Sequence, residues 1–452
     1  MSEKLLIKNG CVLTLDKEIG DFKQADVLIE GGKIVAVGPN LEAADCEIVD
    51  ATNMIVMPGF VDTHRHTWES LVRNVGADWS LVTYLSNIYY GNIGSKLRPS
   101  DSYVANLLGA LEALDSGVTT ILDWTMIYSP DHADELVRGL QDSGVRGVFA
   151  YGSSGEGEYW NRESQLVLSD DYLRVKKQSF STDDQLLTMA LAIRGPEFSS
   201  WEASVREINM ARELGIIATM HLGFGTWGSV DRSIIKLHEA GLLGPDLNMV
   251  HSNSLSDEEY KLMAEYGVSL STTPEVEMMM GHGYPPTGKL LKYGGRPGLG
   301  VDVVTSTGGD MFAQMKFMLQ AERSRINEQT LRSGQMPEEL ALQARDVLEF
   351  ATVDGARALG LDKKVGTLTP GKQADLIMIR TTDLNMFPVN DPVGAVVQCA
   401  NSSNVDSVFV AGKAVKRDGK MLGVDLNRIR TMAIESRDYI FSHGVPNRAW
   451  PI

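Results

Sequence analysis

Residues 55–66 read IVMPGFVDTHRH, an apolar run broken at Pro58 and Gly59 that ends in two histidines one residue apart. In an extended strand, residues i and i+2 point to the same face, so His64 and His66 leave the strand end together. Two imidazole nitrogens converging on one point suit a metal ion. The chain has only eight histidines in 452 residues, so the positions of the others decide how far this reading carries.

Seven further runs of the same texture follow in order: GVTTILDW, RGVFAYG, LTMALAIRG, IIATMHLG, LNMVHSN, VSLSTTP and RPGLGVDV. Between them lie stretches with helical apolar spacing, such as DSYVANLLGALEALDSG and SIIKLHEAGLLG. Eight strand-like runs alternating with helices predict a closed α/β fold, the (β/α)8 TIM barrel. An open doubly wound sheet competes, but its usual strand count is lower. Short strands with turns come before the first run, in LLIKNG, CVLTLD, ADVLIEGGKIVAVG and CEIVDATNMIVMPG. Their texture returns in ADLIMIRTTD, AVVQCA and VDSVFVAGKAVKRDGKML. The expected division is a composite β-sandwich from residues 1–57 and 362–430, a barrel over 58–361, and a C-terminal helix and tail over 431–452. The glycine- and proline-rich segment 281–298 is expected to form a shaped loop.

Composition narrows the function. Acidic side chains outnumber basic ones, 59 to 42, for a formal charge of -17. That balance argues against nucleic acid or an anionic membrane as partner. The three cysteines, Cys11, Cys46 and Cys399, are scattered and lack CxxC spacing, which fits a reducing compartment. The N-terminus does not read as a signal peptide and no run has membrane-spanning length, so a cytoplasmic protein is expected.

Barrel enzymes carry their functional residues at the C-terminal ends of the strands. By that rule His64 and His66 end the first strand, His221 the fifth, His251 the sixth and Asp302 the eighth. His132, His238 and His443 read as surface or packing residues. His282 follows the seventh strand, where it serves either substrate contact or loop structure.

At these residues the chain resembles the amidohydrolase superfamily, and within it the branch of s-triazine hydrolases and S-adenosylhomocysteine, methylthioadenosine and guanine deaminases. The resemblance rests on MPGFVDTHRH, LRPSDSYVANLLGALEALDSGVTTILDW, the strand-end His221 and His251, GVD, GGDMF and ATVDGARALGLDKKVGTLTPGKQADLIMI, in the expected order. It implies that His64, His66, His221 and Asp302 are metal ligands and that His251 lies close to the metal-activated water. Imidazoles and a carboxylate suit Zn2+, and Fe2+ or Mn2+ would accept the same donors. Asp302 would shuttle the water's proton, and His251 would orient the nucleophile or stabilise developing charge. Binuclear members usually place a lysine on the fourth strand, and LTMALAIRG has none, which implies one divalent ion. The resemblance also implies a homo-oligomer.

The chain departs from that branch in three places. Phe224 stands where the ring-amine enzymes carry a glutamate three residues after the fifth-strand histidine. The segment after the fourth strand reads AIRGPEF, with Arg194 at the place of a substrate-binding histidine. Arginine offers a donor fork suited to a substrate carbonyl or carboxylate, or it pairs with an acidic neighbour. VVTSTGG replaces the usual asparagine-rich turn after Asp302, while Glu275 and Glu277 near the seventh strand could supply the missing acid or face water. The methionine run 278–280 reads as packing. Trp68, Trp79 and Tyr84 fall in a region that closes over substrate in relatives, or else they serve the core.

The expected activity is metal-dependent hydrolysis of a non-peptide C–N bond in a small molecule: an amide, urea, carbamate or cyclic amidine. Arg194, His282, Glu277 and Trp68 are the candidate substrate contacts. Deamination or dechlorination of a purine, pyrimidine or s-triazine ring is the alternative, and a non-catalytic barrel scaffold a second one.

Overall fold

The computed structural model describes residues 4–89, 92–154 and 157–444. The tail NRAWPI lies outside them. All eight anticipated runs are strands: β1 (Phe60–Arg65), β2 (Val118–Trp124), β3 (Arg146–Tyr151), β4 (Leu187–Ala192), β5 (Ala218–Leu222), β6 (Leu247–His251), β7 (Ser269–Thr272) and β8 (Gly298–Leu299). They hydrogen-bond in chain order as one eight-stranded sheet, with parallel register where β3 meets β4 and β5 meets β6. Every residue of β1, β2 and β3 is buried. A parallel strand covered on both faces must be apolar throughout, which is why these strands read as unbroken runs.

The closing seam is made by site residues. The Asp302 N–H donates to His64 O at 2.9 Å, and the His66 N–H donates to Asp302 O at 2.9 Å, forming a parallel bridge between Arg65 and Asp302. Gly300 permits that approach, because a Cβ there would sit 2.7 Å from His64 O and 2.9 Å from His64 N.

Helices between the strands start where the sequence supplies caps. Ser200 accepts from the Ala203 N–H to open Trp201–Glu213, and Ser256 with Glu259 forms a capping box on Asp257–Glu265. No helix among the described residues is long and apolar enough to cross a membrane.

The two chain ends build a second, nine-stranded sheet. Met54–Pro58 pairs antiparallel with Leu376–Arg380, register Leu376 to Pro58, and so joins the N-terminal strands to the C-terminal ones. Leu5, Ile7, Val27, Ile29, Val56, Leu376, Met378 and Phe409 share one apolar core in it. Two expectations are corrected here. AVVQCA is helical, since Asp391 caps the Val393 N–H, Pro392 opens a turn, and Ala395–Cys399 continues it. Segment 281–298 contains a short helix, Thr287–Leu291. By internal packing the chain forms two compact units: Met1–Thr63, Glu112–Thr120 and Asp310–Val424 in one, and His64–Leu111, Ile121–Gly309 and Asp425–Ile452 in the other. Every residue of the candidate site belongs to the second unit.

Candidate active site

The alternation of β1 sends His64 and His66 to one side and Arg65 to the other. The Arg65 guanidinium donates to Gly309 O at 3.1 and 3.2 Å, tying down the segment after β8. The two imidazoles meet Asp302, with His64 Nε2 at 3.3 Å and His66 Nε2 at 3.4 Å from Oδ1. His251 Nε2 lies 3.7 Å from Asp302 Oδ2. His221 Nε2 stands 3.2 Å from His64 Nε2. One potential ligand atom from each of His64, His221, His251 and Asp302 fits within 4.8 Å of all the others.

This donor set fits a cation. Burial, then the neighbouring His64, lowers the His66 pKa to about 3. Burial likewise lowers His64, and it drives His221 well below the ordinary histidine value. The imidazoles are therefore neutral, with lone pairs to give. Burial alone would raise the Asp302 carboxyl, but the His64 hydrogen bond and electrostatic attraction to the surrounding imidazoles outweigh it and hold the group well below the usual carboxylate range. Neutral ring nitrogens 3.2 Å apart beside a buried carboxylate are mutually repulsive or undersatisfied until a positive ion sits among them.

The backbone supports a specialised site. His251 and Asp302 both adopt left-handed conformations, φ +72° and +69°, as does Ser252 at +55°. For residues with a Cβ these are sparsely populated and cost on the order of 1–3 kcal/mol each. Strain of this kind persists where surrounding structure imposes it, and here it falls on the two residues given catalytic roles from sequence.

A cavity opens beside the cluster. His66, His221, His251, Asp302 and His282 contribute to its wall, and Phe224 also lines it, packed at 5.1 Å from the His251 ring and 5.2 Å from the His282 ring. Tyr84, anticipated near the mouth, lines it too, and its hydroxyl donates to Glu69 Oε1 at 2.5 Å. Burial lifts Glu69 well above the usual carboxylate range.

Three of the four expected substrate contacts, Arg194, Glu277 and Trp68, are not among the residues that line this cavity. The Arg194 guanidinium stacks 3.6 Å over the Tyr159 ring, donates to the carbonyls of Tyr159 and Leu166, and faces Glu207 Oε1 at 3.5 Å. All of its neighbours are internal, so its donor fork serves the fold. Glu277 accepts from the Thr273 N–H at 2.9 Å and from His251 Nδ1 at 3.3 Å, fixing the orientation of the His251 ring. Trp68 is buried edge-on against Tyr89, itself part of the wall. Of the methionine run only Met280 is buried and lines the cavity, while Met278 and Met279 are exposed.

Other groups escaped the sequence reading. Glu197, in the segment after β4, accepts from the Gly223 N–H through both oxygens at 3.0 Å and so fixes the loop after β5. Burial pushes its carboxyl up to about 7. Asp123 at the end of β2 accepts from the Thr67 N–H at 3.2 Å and from Asn106 at 2.7 Å, which anchors the segment after β1. Tyr89, Trp160 and Phe198 join the wall from loops that carry no periodic signal. Glu69, an acid three residues beyond the HxH pair, was the one legible hint.

Comparison with known proteins follows the same line. The amidohydrolase family model matches residues 55–415. The 5'-deoxyadenosine deaminase of Methanosarcina barkeri is 30% identical over 439 residues, covering 94% of this chain and 95% of that protein. The 5-methylthioadenosine/S-adenosylhomocysteine deaminase of Thermococcus kodakarensis is 30% identical over 418 residues, covering 90% and 93%. The crystal structure of the atrazine chlorohydrolase of Arthrobacter aurescens TC1, complexed with zinc, superposes with a TM-score of 0.83 at 22% identity, covering 96% of this chain and all 100% of that one.

Proposed function

The chain belongs to the amidohydrolase family, and from that premise we propose that it hydrolyses the C–N bond of an amide, urea, carbamate or cyclic amidine at a single divalent metal ion. That it is a hydrolase of non-peptide C–N bonds follows from the family. The substrate, the metal and the residue roles are our reading, and the grouping of His64, His221, His251 and Asp302 within 4.8 Å of one another, with His66 Nε2 3.4 Å from Asp302 Oδ1, carries it. Retention of that whole set tells against a non-catalytic scaffold. Zn2+ is our choice of ion, since the donors are nitrogen and oxygen and zinc is the ion named with the triazine enzyme. A cytoplasmic homo-oligomer acting on a small molecule is our reading from composition and family resemblance.

His64, His66, His221 and Asp302 would hold the ion, with His251 as a further donor within reach. When bound, such an ion supplies a water acidified to near neutral pH. Asp302 takes the water proton as the oxygen attacks the substrate carbon, then returns it to the nitrogen as the C–N bond breaks. His251, held by Glu277, orients the nucleophile or stabilises the charge that develops on the substrate. Phe224 stands where the ring-amine enzymes carry an acid, and among the described residues Asp302 is the one carboxylate that lines the cavity.

The names of the relatives favour a second reading, an aminohydrolase acting on a heteroaromatic ring. A substrate panel with zinc-loaded protein decides between them, reading ammonia, amine or chloride release from simple amides, ureas and carbamates against aminopurines, cytosine and chlorotriazines. The amide class should exceed the ring amines in kcat/KM by at least about 100-fold, the low end of what a positioned acid contributes. Faster turnover of a ring amine would establish the second reading.

A further inference from the structure

The cavity wall shows what it can bind. Five aromatic side chains, Tyr84, Tyr89, Trp160, Phe198 and Phe224, line it with aliphatic residues, and apart from Asp302 no charged side chain among the described residues does so. The rings form a continuous chain of contacts: Tyr89 to Trp160 at 6.1 Å, Trp160 to Phe198 at 6.1 Å, Phe198 to Phe224 at 6.1 Å, and Phe224 to His282 at 5.2 Å. Such a wall favours flat, apolar groups.

The polar atoms within the wall are already engaged. The Tyr84 hydroxyl donates to Glu69, the Tyr89 hydroxyl shares a 3.1 Å hydrogen bond with His66 Nδ1, and Trp160 Nε1 donates to Ser154 O at 3.0 Å. A ribose or a charged tail entering here would lose water and find few partners on the aromatic wall. His282 is the exception. It is 3% exposed and lines the cavity, and its Nδ1 is buried with no hydrogen-bond partner. Its backbone is fixed on both sides, since its N–H donates to Glu277 O at 3.0 Å and its carbonyl accepts from the Gly225 N–H at 2.9 Å. Its ring packs 4.6 Å from the His251 ring. An imidazole on a fixed backbone with unspent hydrogen-bonding capacity, between the proposed metal site and the aromatic wall, is preorganised for one polar group of a ligand.

We infer that the substrate is an uncharged, ring-bearing, largely apolar amide-type compound, and that His282 hydrogen-bonds its polar function and thereby orients it toward Asp302. This rests on the hydrolytic reading above and gives its substrate class.

The test is ligand binding to the zinc-loaded protein, followed by quenching of tryptophan emission, which Trp160 in the wall reports. The probes are acetamide, benzamide, 4-tert-butylbenzamide, tert-butylbenzene and adenosine. Affinity should rise along the three amides by at least about tenfold per step, following apolar area buried, with adenosine weaker than benzamide. His282→Ala should weaken 4-tert-butylbenzamide about tenfold, leave tert-butylbenzene within about twofold, and be largely rescued by His282→Gln. A flat amide series, or adenosine as the tightest ligand, would overturn the substrate class. An equal loss for both tert-butyl probes in His282→Ala would show that the residue only shapes the wall. Because the readout needs no turnover, a protein that binds in this order yet hydrolyses nothing in the panel would refute the hydrolytic reading while leaving the cavity assignment standing.

Discussion

Asp302→Asn should lower kcat/KM by about 1,000-fold or more, within the range attributed to a positioned acid and base. The amide can neither take the proton from water nor return it to the leaving nitrogen. The substitution is also the gentlest one available. Asp302 holds φ at +69° and its backbone closes the barrel seam, and asparagine tolerates that left-handed conformation as well as aspartate does. Circular dichroism and Tm close to the parent's would therefore accompany the loss of turnover, and metal content measured in parallel separates a lost proton shuttle from a lost ion. A variant with the parent's rate would refute the shuttle.

Arg194→Ala has the largest expected effect on stability. Its guanidinium and Glu207 form a buried pair, 1% and 0% exposed, and Glu207 also accepts from the Tyr159 hydroxyl and the Leu168 N–H, each at 3.1 Å. Removing one partner leaves a carboxylate stranded in the interior, while burial already pushes its pKa up. The expected cost is about 3–5 kcal/mol, measured by urea denaturation. Since the side chain stands behind the wall, the folded fraction should keep its KM. An Arg194→Ala protein of parental stability with a KM raised tenfold or more would restore the substrate contact expected from sequence.

The contrast between these two residues shows what the chain made legible. Asp302 was found because it follows the apolar run of the eighth strand, and a parallel barrel carries its functional side chains where the strands run out. The same logic located His64, His66, His221 and His251. Arg194 also follows a strand, but a donor fork reads alike whether it meets a substrate or an internal carboxylate. Only the path of residues 159–168, which carries no periodicity, distinguishes the two. AVVQCA misled for a related reason, since β-branched residues in a short run look extended unless Asp391 and Pro392 are weighed as a helix start. Trp160 and Phe198 reach the cavity through loops, and no local pattern tells a lining aromatic from a core one. Phe224 was legible as a departure, and its place among the rings turned that departure into a statement about what the cavity accepts.

The central claim is that VDTHRH supplies half of a working metal site, and metal content tests it most directly. Inductively coupled plasma mass spectrometry on the purified parent and on the His64→Ala/His66→Ala double variant should find about one equivalent of zinc, iron or manganese per chain in the first and less than about a tenth in the second. A parent that holds no metal even after incubation with zinc, or a double variant that keeps a full equivalent, would contradict the account.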